Sequence, residues 1–267
     1  MFINDFEYWY WFDCFIDLKA QKLTIIGVCF GKGFILDCRL TSKRFSMGKI
    51  YLLILSSNYL FAPLCFAENI IFSEISAEVG IDFKHHNGVS EEKRLPETDG
   101  SGGAFFDYDG DGDLDLYLVN SGDLIKGRSG HWDRLYENVD MGKRFNDVSK
   151  DAEVSGRDYG MGVVTADYDN DGDADIYLTN WGMDQLYENV GNAKFADKTL
   201  EAGLGNKEWG SSASFFDSDN DGDLDLFVVN YVNFTLQNHP WCGHEALDLR
   251  FYCDPRQHQP VRDYLYI

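Results

Sequence analysis

Three copies of one nine-residue pattern, D-x-D-[GN]-D-G-D-x-D, concentrate the chemistry of this 267-residue chain. The first holds Asp107, Asp109, Asp111, Asp113 and Asp115, and the second Asp167, Asp169, Asp171, Asp173 and Asp175. The third holds Asp217, Asp219, Asp221, Asp223 and Asp225. Carboxylates crowded onto so short a loop repel one another by about 1 kcal/mol per pair at 4 Å even in water. Such a loop calls for a cation. Ca²⁺ takes about six to eight oxygens, and a tight loop delivers them from alternate positions. Positions 1, 3, 5 and 9 are expected to offer carboxylates, and position 7 (Asp113, Asp173, Asp223) its backbone carbonyl. Gly112, Gly172 and Gly222 give the turn its backbone freedom, and Gly110, Asn170 and Asn220 suit positive φ. Three Ca²⁺ sites are therefore expected. Mg²⁺ suits an all-protein oxygen cage less well, and Zn²⁺ would want Cys or His, which the loops lack.

The pattern opens like an EF-hand, but that loop needs a bidentate Glu at position 12 and a helix on each side. Here position 12 is Leu118, Leu178 or Val228, and the flanks are rich in strand formers. What positions the loops is a longer repeat. GGAFFDYDGDGDLDLYLVN, from Gly102, returns as GVVTADYDNDGDADIYLTN, from Gly162, and as SASFFDSDNDGDLDLFVVN, from Ser212. A second element follows each time: DRLYENV from Asp133, DQLYENV from Asp184 and DYLYI from Asp263. A third, F-x-[DE]-x-[ST], stands at Phe72, Phe145 and Phe195. One repeat thus reads as strand, Asp loop, strand, linker, third strand and a fourth containing Phe. Four short strands at this recurrence predict an all-β fold of β-propeller blades, each of four antiparallel strands. In LDLYLV, Leu114, Leu116 and Leu118 fall on one face and Tyr117 and Val119 on the other, which predicts a strand covered on both sides.

Composition narrows the partners. Against 23 basic residues stand 45 acidic ones, a formal net charge of -22, which argues against nucleic acid. Aromatic residues at 15% and apolar ones at 44% are too many for a solvating acidic tail. Residues 47–67 read as a signal peptide: Lys43, Arg44 and Lys49 near its start, an apolar core from Ile50 to Leu64, and Ala67 at a cleavage site. The expected mature chain, residues 68–267, is then exported to the periplasm, the cell surface or the medium, without membrane insertion after cleavage. Residues 1–46 fit neither the signal nor the repeat and read as an extension from a start placed too early. Of six cysteines, only Cys242 and Cys253 follow residue 67, and an even pair in an exported protein reads as a disulfide.

These residues resemble the FG-GAP/VCBS-repeat proteins, whose blades carry Ca²⁺ loops of the D-x-D-x-D-G-x-x-D type. The likeness extends to the cartilage acidic protein-like group, through GIDFKHHNG from Gly80, LPETDGSGGAFFDYDGDGDLDLYLVN from Leu95, the LYEN elements, and NYVNFTLQNHPWCG followed by FYCDP. The resemblance spans Ile70 to Ile267. It implies further blades and a C-terminal ASPIC/UnbV module, so the chain reads as an incomplete ring.

Remaining candidates are weaker. His85 with His86, and His239 and His244, lack a third metal ligand at fixed spacing and read as loop packing. Trp132, Trp181 and Trp209 read as covers for blade edges, with a sugar-stacking platform as the alternative. No G-x-S-x-G, H-E-x-x-H, phosphate loop or dinucleotide fingerprint occurs. The expectation is a non-enzymatic Ca²⁺-binding scaffold for an unidentified protein or glycan ligand. A carbohydrate-active enzyme built on the same propeller is the alternative.

Overall fold

The computed structural model describes residues 10–17, 22–31, 34–43 and 71–267, so the signal-peptide expectation at 47–67 lies outside the described residues. The chain divides into two units, Met1–Phe72 and Ser73–Ile267. In the first, β1 (Tyr10–Asp17), β2 (Lys22–Gly31) and β3 (Phe34–Lys43) form an antiparallel meander, pairing Tyr10 with Cys29 and Lys22 with Lys43.

The second unit is built from three blade sheets and one small two-stranded hairpin. Blade one joins β4 (Gly103–Phe106), β5 (Asp115–Leu118), β6 (Arg134–Asn138) and β7 (Phe145–Asp147) in sequence order. Blade two repeats it with β8 (Tyr159–Ala166), β9 (Asp175–Trp181), β10 (Gln185–Asn189) and β11 (Phe195–Asp197). Blade three has β12 (Gly210–Phe216) and β13 (Asp225–Asn230). Its connection carries a small hairpin, β14 (Gly243–His244) with β15 (Leu249–Arg250), before β16 (Tyr264–Tyr266) takes the third place. All these pairings are antiparallel, as the repeat predicts. A single helical turn, α1 (Ser149–Ala152), follows β7. Among the described residues the three blades do not close a ring.

The two-residue period of a strand explains how the blades stack. Tyr117 and Val119 of blade one meet Ile176 and Leu178 of blade two in one core. Tyr177, on the other face of β9, meets Leu226 and Val228 of blade three. Each seam sets the odd face of one second strand against the even face of the next. The central strand β9 is accordingly buried at every residue from Asp175 to Asn180. In β13, which has a neighbour on one face, Leu226 and Val228 are buried while Phe227 and Val229 are exposed. Leu114 departs from the sequence expectation: it is 55% exposed, because the strand begins at Asp115 and Leu114 still belongs to the loop.

At their starts the first strands converge until backbone meets backbone. A Cβ on Gly102 would lie 2.7 Å from the Cα of Gly162, so any side chain there would push the blades apart. A third core, of Leu95, Tyr159, Met161, Trp209, Val232 and Phe234, gathers residues of the segment before β4, the first strands and the long connection of blade three. Trp209 is a core residue rather than an edge cover, Trp181 is half-buried and donates its indole N–H to the carbonyl of Phe234 at 3.1 Å, and Trp132 is exposed.

Candidate metal centres

The antiparallel register puts every Asp loop at the same end of its blade. Phe106 pairs with Asp115, Ala166 with Asp175 and Phe216 with Asp225, so the loop between each pair is a tight reversal. Within it, Gly110, Asn170 and Asn220 take φ of 78°, 59° and 62°, and Gly112, Gly172 and Gly222 take 90°, 101° and 97°. Both special positions are therefore used in all three copies, as expected of residues that tolerate the left-handed region.

The carboxylates of positions 1, 3 and 9 come together in each loop. Asp107, Asp109 and Asp115 each place an oxygen within 4.8 Å of the others, as do Asp167, Asp169 and Asp175, and Asp217, Asp219 and Asp225. Two oxygens bound at about 2.4 Å to a common Ca²⁺ are at most about 4.8 Å apart, so the spacing and the all-oxygen donor set suit that ion. Positions 5 and 7 stand outside these triads. Asp111, Asp171 and Asp221 accept the backbone N–H of Asp113, Asp173 and Asp223 at 2.8, 2.9 and 3.0 Å, which holds the turn. The position-1 side chains bind the loop from inside: Asp107 accepts from Gly110 and Gly112, both at 2.9 Å, and Asp167 and Asp217 accept from Gly172 and Gly222.

Position 9 anchors the loop to the blade. Asp115 is buried and accepts from the N–H of Tyr108 at 3.0 Å and of Asn138 at 2.8 Å. Asp175 repeats this with Tyr168 at 2.9 Å and Asn189 at 2.8 Å, and Asp225 accepts from Ser218. Burial pushes the Asp115 carboxyl up to about 6 and that of Asp175 to about 7, against two hydrogen bonds that favour its charged form. Asp109, Asp169 and Asp219 are raised too, first by loss of water and then by neighbouring carboxylates. A bound cation would reverse this resistance to ionisation.

Two further sets of residues support the loops from the blade. Asp133, Asp184 and Asp263, which open the D-x-LYEN elements, sit at the far end of the second strands. Asp133 is wholly buried, accepts from the N–H of Asn120 at 2.7 Å and the hydroxyl of Tyr117 at 3.2 Å, and pairs with Arg128 at 2.6 Å. Asp184 accepts from the N–H of Asn180 at 2.7 Å, the Tyr177 hydroxyl at 3.1 Å and the Asn206 amide at 2.8 Å. Asp263 accepts from the N–H of Asn230 at 2.8 Å. Recurrence two residues before each Leu-Tyr was the available signal. The Asn of LYEN is the other such residue: Asn189 also donates its amide to the Tyr108 carbonyl at 2.8 Å, tying the loop of blade one to blade two. In the F-x-D-x-[ST] element, Ser149 and Thr199 accept the N–H of Leu135 and Leu186, both at 2.9 Å, fastening the turn to the third strand.

Cys242 and Cys253 form a disulfide across the hairpin of the blade-three connection. His85 contacts the Ser121 hydroxyl at 3.0 Å, His86 stacks on His131, and His239 meets the Glu92 carbonyl at 2.8 Å. Among the described residues no histidine joins a metal-competent group. No helix among them is long and apolar enough to cross a membrane.

Two four-stranded blades and a three-stranded one, each with an acidic loop between its first two strands, define a blade-repeat protein whose loops have the donors to hold cations. The FG-GAP-like repeat family model matches residues 107–178 and again 168–228. Each match runs from an Asp loop into the second strand of the following blade, so the two together take in all three loops. No curated protein shows significant similarity to the chain.

Proposed function

We propose that this chain is an extracytoplasmic Ca²⁺-binding β-propeller repeat protein that serves as a binding or adhesion scaffold, its ions stiffening the blade loops. The observation that carries the reading is the triple recurrence of one carboxylate triad, at identical loop positions, inside FG-GAP-like repeats. Asp107, Asp109 and Asp115, with their counterparts in the other loops, would hold the ion. Asp111, Asp171 and Asp221, and the carbonyls of Asp113, Asp173 and Asp223, lie in the same loops to complete its shell. The ion supplies positive charge, and the residues around it set the loop's shape.

Export is supported by the Cys242–Cys253 disulfide, since such bonds persist in oxidising compartments. The sequence likeness to the cartilage acidic protein-like group belongs to the same proposal. Thermal melting with millimolar Ca²⁺ and with excess EDTA tests the central claim. A melting temperature indifferent to both would remove the metal from the loops and the basis of the reading with it.

A further inference from the structure

A cleft of about 190 Å³ opens at the end of blade one remote from its Asp loop. The register defines that end: Phe106 pairs with Asp115 beside the loop, while Leu118 pairs with Arg134 at the other extremity. Asp82, Phe83 and Lys84 form one wall, and Asn120, His131, Trp132 and Arg134 supply the other. In a chain of net charge -22, this lining holds two cationic side chains against one carboxylate.

The hydrogen bonds show which groups remain available. Asn120 is committed, accepting from the N–H of His86 and Ser121 and donating to the Lys84 carbonyl. That fixes the wall. Arg134 pairs through Nε with Asp147 at 3.0 Å and donates Nη1 to the Asp133 carbonyl at 3.4 Å, leaving Nη2. Asp82 accepts the Tyr136 hydroxyl on Oδ1 at 2.9 Å, leaving Oδ2. Among the described residues, the Lys84 ammonium, the Trp132 indole N–H and the His131 ring make no hydrogen bond or ion pair. Trp132 is 41% exposed, an apolar plane at the edge of a polar cleft.

Donors of this kind suit an oxyanion, and an aromatic plane suits the apolar face of a sugar ring. The remaining Asp82 oxygen is an acceptor for a hydroxyl. A metal ion fits less well. His86 and His131 stack face to face with centroids 3.8 Å apart, so their in-plane lone pairs point away from any shared point. The acidic loop does not forbid an anion here. Asp115 opens β5 and Asn120 follows two residues after its end, a separation of roughly 16 Å at an extended rise per residue, about two screening lengths at physiological salt.

We propose that this cleft binds an acidic sugar residue, with Lys84 and Arg134 receiving its carboxylate or sulfate, Trp132 covering its ring and Asp82 accepting a hydroxyl. The site is distinct from the metal loops and extends the scaffold reading by naming a ligand class. The test uses the full chain in Ca²⁺-containing buffer, with saturation-transfer NMR and calorimetric titration of glucuronate, glucose 6-sulfate, glucose and acetate. Glucuronate or the sulfated sugar should bind saturably, and glucose and acetate at least about tenfold more weakly, the loss of about one good polar or stacking contact. The tighter of the two acidic sugars identifies the anion.

Lys84→Ala and Trp132→Ala, both at exposed positions, should each weaken that binding about tenfold and leave the melting temperature unchanged. No saturable binding of either acidic sugar, equal binding of glucose or acetate, or unchanged affinity in both variants would overturn the proposal. Because the readout is sugar binding, it stays separate from the response to EDTA. Failure of one leaves the other standing.

Discussion

Each blade keeps a carboxylate at both ends of its second strand, and the two ends handle the charge differently. At the far end the answer is internal. Asp133 meets Arg128, and Asp184 meets a tyrosine hydroxyl, an asparagine amide and a backbone N–H. At the loop end, Asp115 and Asp175 are as deeply buried and, like Asp133 and Asp184, raised by burial, but the charged groups facing them are other aspartates, and two backbone N–H groups are their only hydrogen-bond donors among the described residues. The same residue type is thus a finished strut at one end and an open demand at the other. The difference lies in what the surrounding chain supplies.

Arg128 is where the far end is most vulnerable. Arg128→Ala would leave the Asp133 carboxylate buried without its cation, a loss of about 3–5 kcal/mol for such a pair, readable by denaturant titration. A loss near that of a surface substitution would mean that the strut is not held by charge. At the loop end, stability should follow the medium instead. With a dissociation constant of about 10⁻⁴ M, millimolar Ca²⁺ adds about 1.4 kcal/mol per site. Asp175→Asn should remove one site's share of the difference between Ca²⁺ and EDTA, checked by melting in both.

Acidity sharpens the contrast further. In the metal-free fold, Asp115 and Asp175 keep their protons to about pH 6 and 7, whereas the unfolded chain loses them near the ordinary value of 3.8. The folded state then binds more protons between those limits. This contribution is fully present below about pH 4 and is lost as pH rises through 6 to 7. Melting in EDTA should therefore decline from pH 5 to pH 8. Ca²⁺ should flatten the decline without abolishing it, because Asp184, raised to about 7 by burial, lies at the end that metal does not reach. The smallest effect is expected from Tyr177→Phe, which removes the hydroxyl on Asp184 and costs about 1 kcal/mol. Blade three already carries Phe227 at the corresponding place, so Phe227→Tyr provides the reciprocal measurement.

How much of this was legible depended on whether the information was local. The loops could be read residue by residue: Gly112, Asn170 and their equivalents take the positive φ that their types suggest, and the Cys242–Cys253 pair bonds. The odd and even faces of LDLYLV follow from the period of a strand, although Leu114 lies in the loop, one residue before that period begins. The place of Trp209 is not local information, since whether a tryptophan lies in a core or at an edge depends on segments far away in sequence. It packs with Leu95 and Phe234, on either side of it by many residues.

The sequence alone therefore determined the repeat, the four-strand order of the blade and the loops rich in oxygen donors, because each is set by alternation, turn chemistry and spacing within a few residues. Tertiary structure decided which carboxylates share a point: positions 1, 3 and 9 converge, while position 5 turns back onto the N–H of position 7. It also decided that Asp133 and Asp184 are struts, that Asn189 reaches across a seam to the loop of another blade, and that Lys84, Trp132 and Arg134 line one cleft. The reason is physical. Burial and partnership are properties of chain segments brought together by folding, and residue spacing carries no record of which segments those are.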